Sequence, residues 1–395
     1  MVFENEKMMK KSLIAFIEKS EKEQFRLLEQ LVLQQSFSRF KEGVDGVGRM
    51  IAASLKGTGM TLEVVPESEV GDQLIFRSPA YRTGLPSLLL VGHMDTVYPV
   101  DSPFDWYRDD GRKVFGPGVI DMKGGLVSAI FAIKALAECR MLEKIPLAFI
   151  CNSDEEIGSP ASAPLIRTEA DRSLLGLGFE CGGLNGEIVT GRKGEVGYLL
   201  AVKGQAGHAA FACSEKASAI LELAHKIIAL ERLNDYQREI VVNVGVIRGG
   251  IGPNTVADSA VAEIDTRYLV SADAEETAAK IEQIAVECLV PGTRGELHRT
   301  LLREPMVQTA GNRELFQLIS REAEVLGLPC KEELRSGVSD VSVIAEAGIP
   351  VVDGMGPVGD CDHSEKEYMI RDSLPSRSKL AALSILSSWG YFSTK

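Results

Sequence analysis

The sequence predicts an α/β fold: a mostly parallel sheet flanked by helices, with a smaller β-α-β-β-α-β domain inserted in it. Three observations predict this. Continuous apolar runs at 85–92 (LPSLLLVG), 146–152 (PLAFICN) and 174–180 (LLGLGFE) suit strands buried on both faces. Apolar residues at helical spacing separate two of them, as in LVSAIFAIKALAEC (126–139). Near residue 190 the pattern turns to strands of alternating, half-exposed character.

The elements follow in order. Residues 7–34 carry helical periodicity with charges on the opposite side, predicting one amphipathic helix. After the three apolar strands, VGYLLAVKG (196–204) reads as a strand and ASAILELAHKIIALERL (217–233) as a helix. EIVVNVGVIRG (239–249) and AVAEIDTRYLV (260–270) read as strands. A helix capped by Asp273, with Glu276 three residues on, and a strand near 296–303 complete a split βαβ, ferredoxin-like order. A helix at 313–327, the segment 341–354 and a terminal helix near 373–390 return to the α/β texture. The expected domains are therefore 1–193 and 304–395, forming one α/β unit, with 194–303 inserted. A chain of 395 residues is long enough for two cores.

Composition narrows the function. A formal net charge of −13 disfavours nucleic acid, whose phosphates need clustered cations. No stretch approaches the ~20 apolar residues of a membrane span, and the N-terminus lacks a signal-peptide pattern. The seven cysteines (139, 151, 181, 213, 288, 330, 361) are odd in number and form no C-x-x-C, which fits reduced thiols and a cytoplasmic setting.

Chemistry concentrates where the buried strands end. His93 closes the first, with Asp95 two residues later, positioned to support the imidazole through its other nitrogen. Asp154, Glu155 and Glu156 follow the second, and Glu180 closes the third. Asp121 sits between a Gly-Pro-Gly loop and a helix, and His363 lies in a polar loop. Taken singly, each has a plain reading as a helix cap, a strand-end charge or a solvated turn. Together, acids ending runs that should be buried call for cations, best met by two divalent metals sharing a carboxylate. His225 and His298 keep structural readings. G-x-S-x-G, the phosphate-binding G-x-x-x-x-G-K-S/T and H-E-x-x-H are all absent.

HMDTVYP, GPGVIDMKGG, NSDEEIGS, FE, GQAGHAA and GPVGDCDHSEKEY occur in the order found in a di-zinc metallopeptidase and deacylase family. The sequence resembles that family, which includes glutamate carboxypeptidase, peptidase T, acetylornithine deacetylase and succinyl-diaminopimelate desuccinylase, from about residue 85 to 375. The motifs are most similar to the glutamate carboxypeptidase branch. The resemblance implies a zinc-exopeptidase fold with the insert as lid and dimerisation domain. It implies two divalent ions per chain, zinc with cobalt or manganese as alternatives, held by His93, Asp121 and Glu180 and by Asp121, Glu156 and His363. It further implies a cis Asp121–Met122 peptide, Glu155 as general base, His208 reaching the partner subunit of a homodimer, and Arg267, Asn254 and Ser339 contacting substrate. The substrate would be a small peptide or an N-acyl amino acid with a free carboxylate. The implied activity is a carboxypeptidase releasing C-terminal Glu or a similar residue, with an N-acyl-amino-acid deacylase as the alternative. A two-metal phosphoesterase and a silent binding protein are the remaining readings. Departures from the family occur at Gly207 and Ala210 beside His208, at Cys181 after Glu180, and at Val341–Ser342 after Ser339–Asp340.

Overall fold

The structure, a computed structural model, describes residues 2–211 and 216–395; Cys213 lies outside them. The chain forms two compact units, one of Met1–Gly191, Gln308–Leu334 and Ser339–Lys395, the other of Arg192–Val307 and Arg335–Val338.

The first unit opens with helices α1 (Val2–Lys19) and α2 (Glu21–Leu33), where the sequence predicted a single helix. Ser20 causes the break. Its hydroxyl donates to the Phe16 carbonyl at 2.8 Å, and its own carbonyl accepts from the Glu23 and Gln24 amides, which starts a new helix. Next come α3 (Lys41–Leu55), β1 (Thr61–Val65), β2 (Gln73–Arg77), β3 (Ser87–His93), β4 (Lys113–Phe115), α4 (Gly124–Glu138), β5 (Leu147–Asn152), α5 (Ala163–Ala170) and β6 (Ser173–Gly178).

The second unit contains β7 (Gly194–Lys203), β8 (Gly207–His208), α6 (Ala219–Glu231), β9 (Val241–Gly249), β10 (Thr255–Val256), β11 (Ser259–Tyr268), α7 (Ser271–Val286) and β12 (Arg294–Arg303). Its sheet runs β9-β11-β7-β12, antiparallel throughout, so the first strand lies between the third and the fourth. Along β7, buried positions alternate with half-buried ones, and Val196, Tyr198, Leu200 and Val202 meet Leu223 of α6 and Ile281 of α7 in one core. Asp273 is not the cap of α7. The helix starts two residues earlier, at Ser271, and the Asp273 carboxylate pairs with Arg238. A buried pair, Glu222 and Lys226, fastens the end of α7: Lys226 Nζ donates to the carbonyls of Ile284, Ala285 and Glu287.

The chain then returns to the first unit through α8 (Ala310–Val325), α9 (Val341–Ala345), β13 (Val351–Val352), β14 (Tyr368–Ile370) and α10 (Ser373–Phe392). The main sheet is ordered β1-β2-β5-β3-β6-β13. β5, β3, β6 and β13 are mutually parallel, while β2 runs against its neighbours. Every residue of β3 and β5 is buried, because helices cover both faces. Leu175 and Leu177 of β6 join the core with α4, whereas a side chain at Gly176 or Gly178 would meet Ile344 and Val341 of α9. This architecture directs the carboxyl ends of three adjacent parallel strands to one rim.

Candidate metal centre

The rim gathers the strand-end ligands. His93 ends β3, and its Nε2 lies 3.0 Å from Asp121 Oδ1 and 3.5 Å from Glu180 Oε1. His363 Nε2 lies 3.0 Å from the other Asp121 oxygen, Oδ2, and 3.3 Å from Glu156 Oε2. Asp121 thus offers one oxygen to each imidazole, and each imidazole has a second carboxylate beside it. Ligand atoms of His93, Asp121 and Glu156 all fall within 4.8 Å of one another, and the exposed Asp362 makes a similar group with Asp121 and His363. Two nitrogen-and-oxygen donor sets sharing one carboxylate fit a pair of borderline divalent cations. Three acids packed together also demand positive charge.

Local structure explains how these side chains arrive. The loop before α4 contains a cis Asp121–Met122 peptide. Gly118 turns there at φ 71°. Gly125, in the first turn of α4, leaves no room for a side chain, since a Cβ would sit 1.8 Å from the Phe179 carbonyl. That close approach brings the Asp121 loop against the end of the β6 strand, next to Glu180. On the other side, Cys361 and His363 both adopt left-handed backbone, at φ 64° and 56°.

The charges shift one another strongly. Burial, then the negative charge of Asp121, pushes Glu156 up to about 7. The hydrogen bonds of His363 to Asp121 and Glu156 push its imidazole up to about 11. Burial opposes charge on His93, but the bonds to Asp121 and Asp95 override it and hold the ring well above its ordinary value. Burial likewise opposes charge on Asp121, yet His363 and His93 keep it below the usual carboxylate range. Glu155 is pushed well up, first by burial and then by the Asp340 charge, with Glu180 and Glu156 adding to it against the opposing His93. A carboxyl that takes up a proton readily has the property a general base at neutral pH requires.

Buried acids behind the cluster hold its backbone. His93 Nδ1 lies 3.0 Å from the Asp95 main-chain carbonyl and 3.4 Å from its carboxylate. The Asp95 carboxylate also accepts from Ser38 Oγ at 2.6 Å and from the amides of Glu155 and Glu156, each at 3.3 Å. Asp154 is fully buried, and its Oδ2 accepts from the amides of Ala161 and Ser162. Ser339 is buried, and its hydroxyl donates to Asp353 Oδ2 at 2.6 Å; Asp353 Oδ1 takes the Glu180 amide at 3.2 Å. Sequence reasoning missed Asp353, Lys123 and Glu367. Burial pulls the Lys123 ammonium down to about 7, and Nζ donates to the Gln34 carbonyl at 2.9 Å. Glu367 is fully buried and accepts from the amides of Gly118, Ile120 and Asp121. Its position in HSEKEY, four residues after His363, was the available signal.

The second unit carries the other three predicted residues. His208 is exposed on β8, paired with Thr255 of β10, and its Nδ1 accepts from the Ala210 amide at 3.2 Å. The Asn254 carbonyl accepts from the Ala209 amide at 2.9 Å, so His208 and Asn254 share one small ladder. Arg267 lies at the far end of β11, where Nε meets Asp265 at 3.0 Å and Nη2 meets Glu195 at 3.0 Å. It stands eight positions along the extended strand from Ser259, roughly 26 Å.

Residues 89–387 match the profile of Peptidase family M20/M25/M40. The chain belongs to this family. A member of M20/M25/M40 with these relatives is a metal-dependent peptidase or amidohydrolase, and the family is typically served by two metal ions. The chain is 28% identical to carboxypeptidase G2 of Pseudomonas sp. (strain RS-16), over 91% of this chain and 88% of that protein. It is 26% identical to succinyl-diaminopimelate desuccinylase of Hydrogenovibrio crunogenus, over 82% of this chain and 88% of that protein. Its fold matches that of aminopeptidase PepT from Bacillus cereus at a TM-score of 0.73 and 22% identity, covering 92% of this chain and 98% of that one. The M20 metallo-carboxypeptidase Sso-CP2 from Sulfolobus solfataricus matches at 0.75 and 17%, covering 92% and 99%.

Proposed function

We propose that this M20/M25/M40 chain is a two-metal exopeptidase that hydrolyses an amide beside a free carboxylate, releasing C-terminal Glu or a similar amino acid. The observation that carries the two-metal reading is the division of Asp121 between His93 and His363, one oxygen to each at 3.0 Å. His93, Asp121 and Glu180 would hold one ion, and Asp121, Glu156 and His363 the other, with zinc as the first candidate. When bound, such a pair lowers the pKa of a shared water and polarises the scissile carbonyl. Glu155 takes the proton from the attacking water and returns it to the leaving amine. His208, exposed on its ladder, donates to the developing oxyanion from the neighbouring protomer. Asn254, on the same ladder as His208, contacts the substrate from that protomer, and Arg267 takes its carboxylate in two-pronged fashion. Ser339 acts behind the site, through Asp353.

The carboxypeptidase reading is supported by the likeness to carboxypeptidase G2; likeness to a desuccinylase favours an N-acyl-amino-acid deacylase as the second reading. The homodimer is supported by the second unit, where β9 is a sheet edge bearing exposed Ile247, with Ile251 just beyond it and Ile220, Leu221 and Ile228 exposed on α6. The cytoplasmic assignment is supported by the free cysteines 139, 151, 288, 330 and 361; no described helix is long and apolar enough to cross a membrane.

The test is a panel on zinc-loaded protein: dipeptides varied at the C-terminal residue, N-succinyl and N-acetyl amino acids, and a phosphate monoester. Fastest turnover is expected on a peptide ending in Glu. Fastest turnover on an N-acyl amino acid would replace this reading with the deacylase, and turnover of the phosphate ester alone would overturn both.

A further inference from the structure

The HSEKEY segment supplies His363, yet its most buried acid is Glu367. One carboxylate oxygen, Oε1, accepts from the amides of Ile120 at 2.8 Å and Asp121 at 3.2 Å. The other, Oε2, accepts from the Gly118 amide at 2.9 Å and from the Tyr98 hydroxyl at 2.7 Å. Three amides of the Gly118–Asp121 loop thus converge on a side chain from a segment about 250 residues later in the chain. The same Tyr98 hydroxyl lies 3.0 Å from the Ser364 carbonyl, and the Glu367 amide donates to that carbonyl at 3.0 Å. The Ser364 hydroxyl closes the turn on the Cys361 carbonyl at 2.7 Å. The stretch Cys361–Glu367 is therefore knotted at one end to the loop bearing Asp121, and at the other it presents His363 in its left-handed conformation.

An isolated loop of this kind gains nothing from a buried acid, which costs desolvation unless several donors meet it. Here four donors do, and all of them lie on or beside the segments that deliver two ligands of the second ion. We infer that Glu367 is a positioning residue for the metal centre: it fixes the backbone of Asp121 relative to His363, and so sets the affinity of the second ion more than that of the first. Besides the shared Asp121, the first ion draws on His93 and Glu180, whose own backbones are held elsewhere, by β3 and by Asp353. The inference rests on the two-metal reading above. Groups behind a ligand set typically change metal affinity by about 10–100-fold when altered.

The experiment is a zinc titration of chelator-stripped protein against a competing chromophoric chelator, with the absorption spectrum of the cobalt-loaded form as a second readout. Glu367→Gln keeps the shape but sets an NH2 group against backbone N–H donors. It is expected to weaken the second ion about 10–100-fold, change the first less than about threefold, and alter the cobalt bands. Tyr98→Phe removes one donor and keeps the three amides; it is expected to weaken the second ion several-fold with the fold unchanged, and it decides the matter if Glu367→Gln does not fold. Wild-type affinities and an unchanged cobalt spectrum in the folded variants, or equal loss of both ions, would overturn the inference while leaving the two-metal reading intact. A wild-type chain that binds no zinc overturns that reading itself.

Discussion

Glu155 and Glu156 are neighbours in sequence with different surroundings. Glu156 lies 3.3 Å from His363, while Glu155 is pushed up by burial and by Asp340. Glu155→Gln should therefore lower turnover by about 10²–10⁴ while bound zinc stays at the wild-type level by elemental analysis; loss of metal together with activity would make Glu155 a ligand instead. Glu195, beside Arg267, gives a separate test by pH. Burial, opposed by Arg267, pushes it up to about 7 from an ordinary 4.5. A raised carboxyl pKa stabilises the fold below pH 4.5, and that contribution is lost as pH rises through 7. Glu195→Gln should melt progressively higher relative to the wild type between pH 4.5 and 8, read by thermal unfolding; parallel profiles would contradict this. Of the five proposed ligands, His93, Glu156 and Glu180 were legible because they end or follow runs that had to be buried, whereas Asp121 and His363 lie in loops and gained weight from the motifs around them. Glu367 and Asp353 were not, because each acts on a backbone amide far away in sequence, and no periodicity records such a partner.

At the scale of elements, alternation made the β-α-β-β-α-β order readable, and continuous apolar runs made β3, β5 and β6 readable. β1 escaped notice because four of its five residues are exposed, so nothing distinguishes it from a loop. The break at Ser20 was hidden for a related reason: a serine that bonds to its own helix leaves the apolar spacing undisturbed. Ser339, expected at the substrate, is held against Asp353 by an acceptor 14 residues on, which spacing does not reveal. Two elements invite direct tests. Lys226→Met would leave Glu222 buried without its partner and is expected to destabilise the second unit by about 3–5 kcal/mol in denaturant unfolding. Ile247→Glu on the edge strand β9 should shift the protein toward a monomer in analytical ultracentrifugation, and turnover should fall with it if His208 serves the neighbouring protomer.

For the whole molecule, the net charge of −13 and a rim crowded with carboxylates set a clear requirement. On the two-metal reading proposed above, cations would neutralise Asp121, Glu156 and Glu180, and metal binding would be coupled to folding. An ion bound by the folded state alone stabilises it by RT ln(1 + [L]/Kd), about 2.7 kcal/mol at a hundredfold excess over Kd. Chelation should accordingly lower the melting temperature by several degrees and restore it on adding zinc. The central claim, that Asp121 bridges two ions, is tested most directly by titrating chelator-stripped protein with zinc while counting bound metal per chain. Two ions per chain in the wild type, with Asp121→Asn holding neither tightly, is the expected result. Saturation at a single ion, or an Asp121→Asn variant that still binds two, would contradict it.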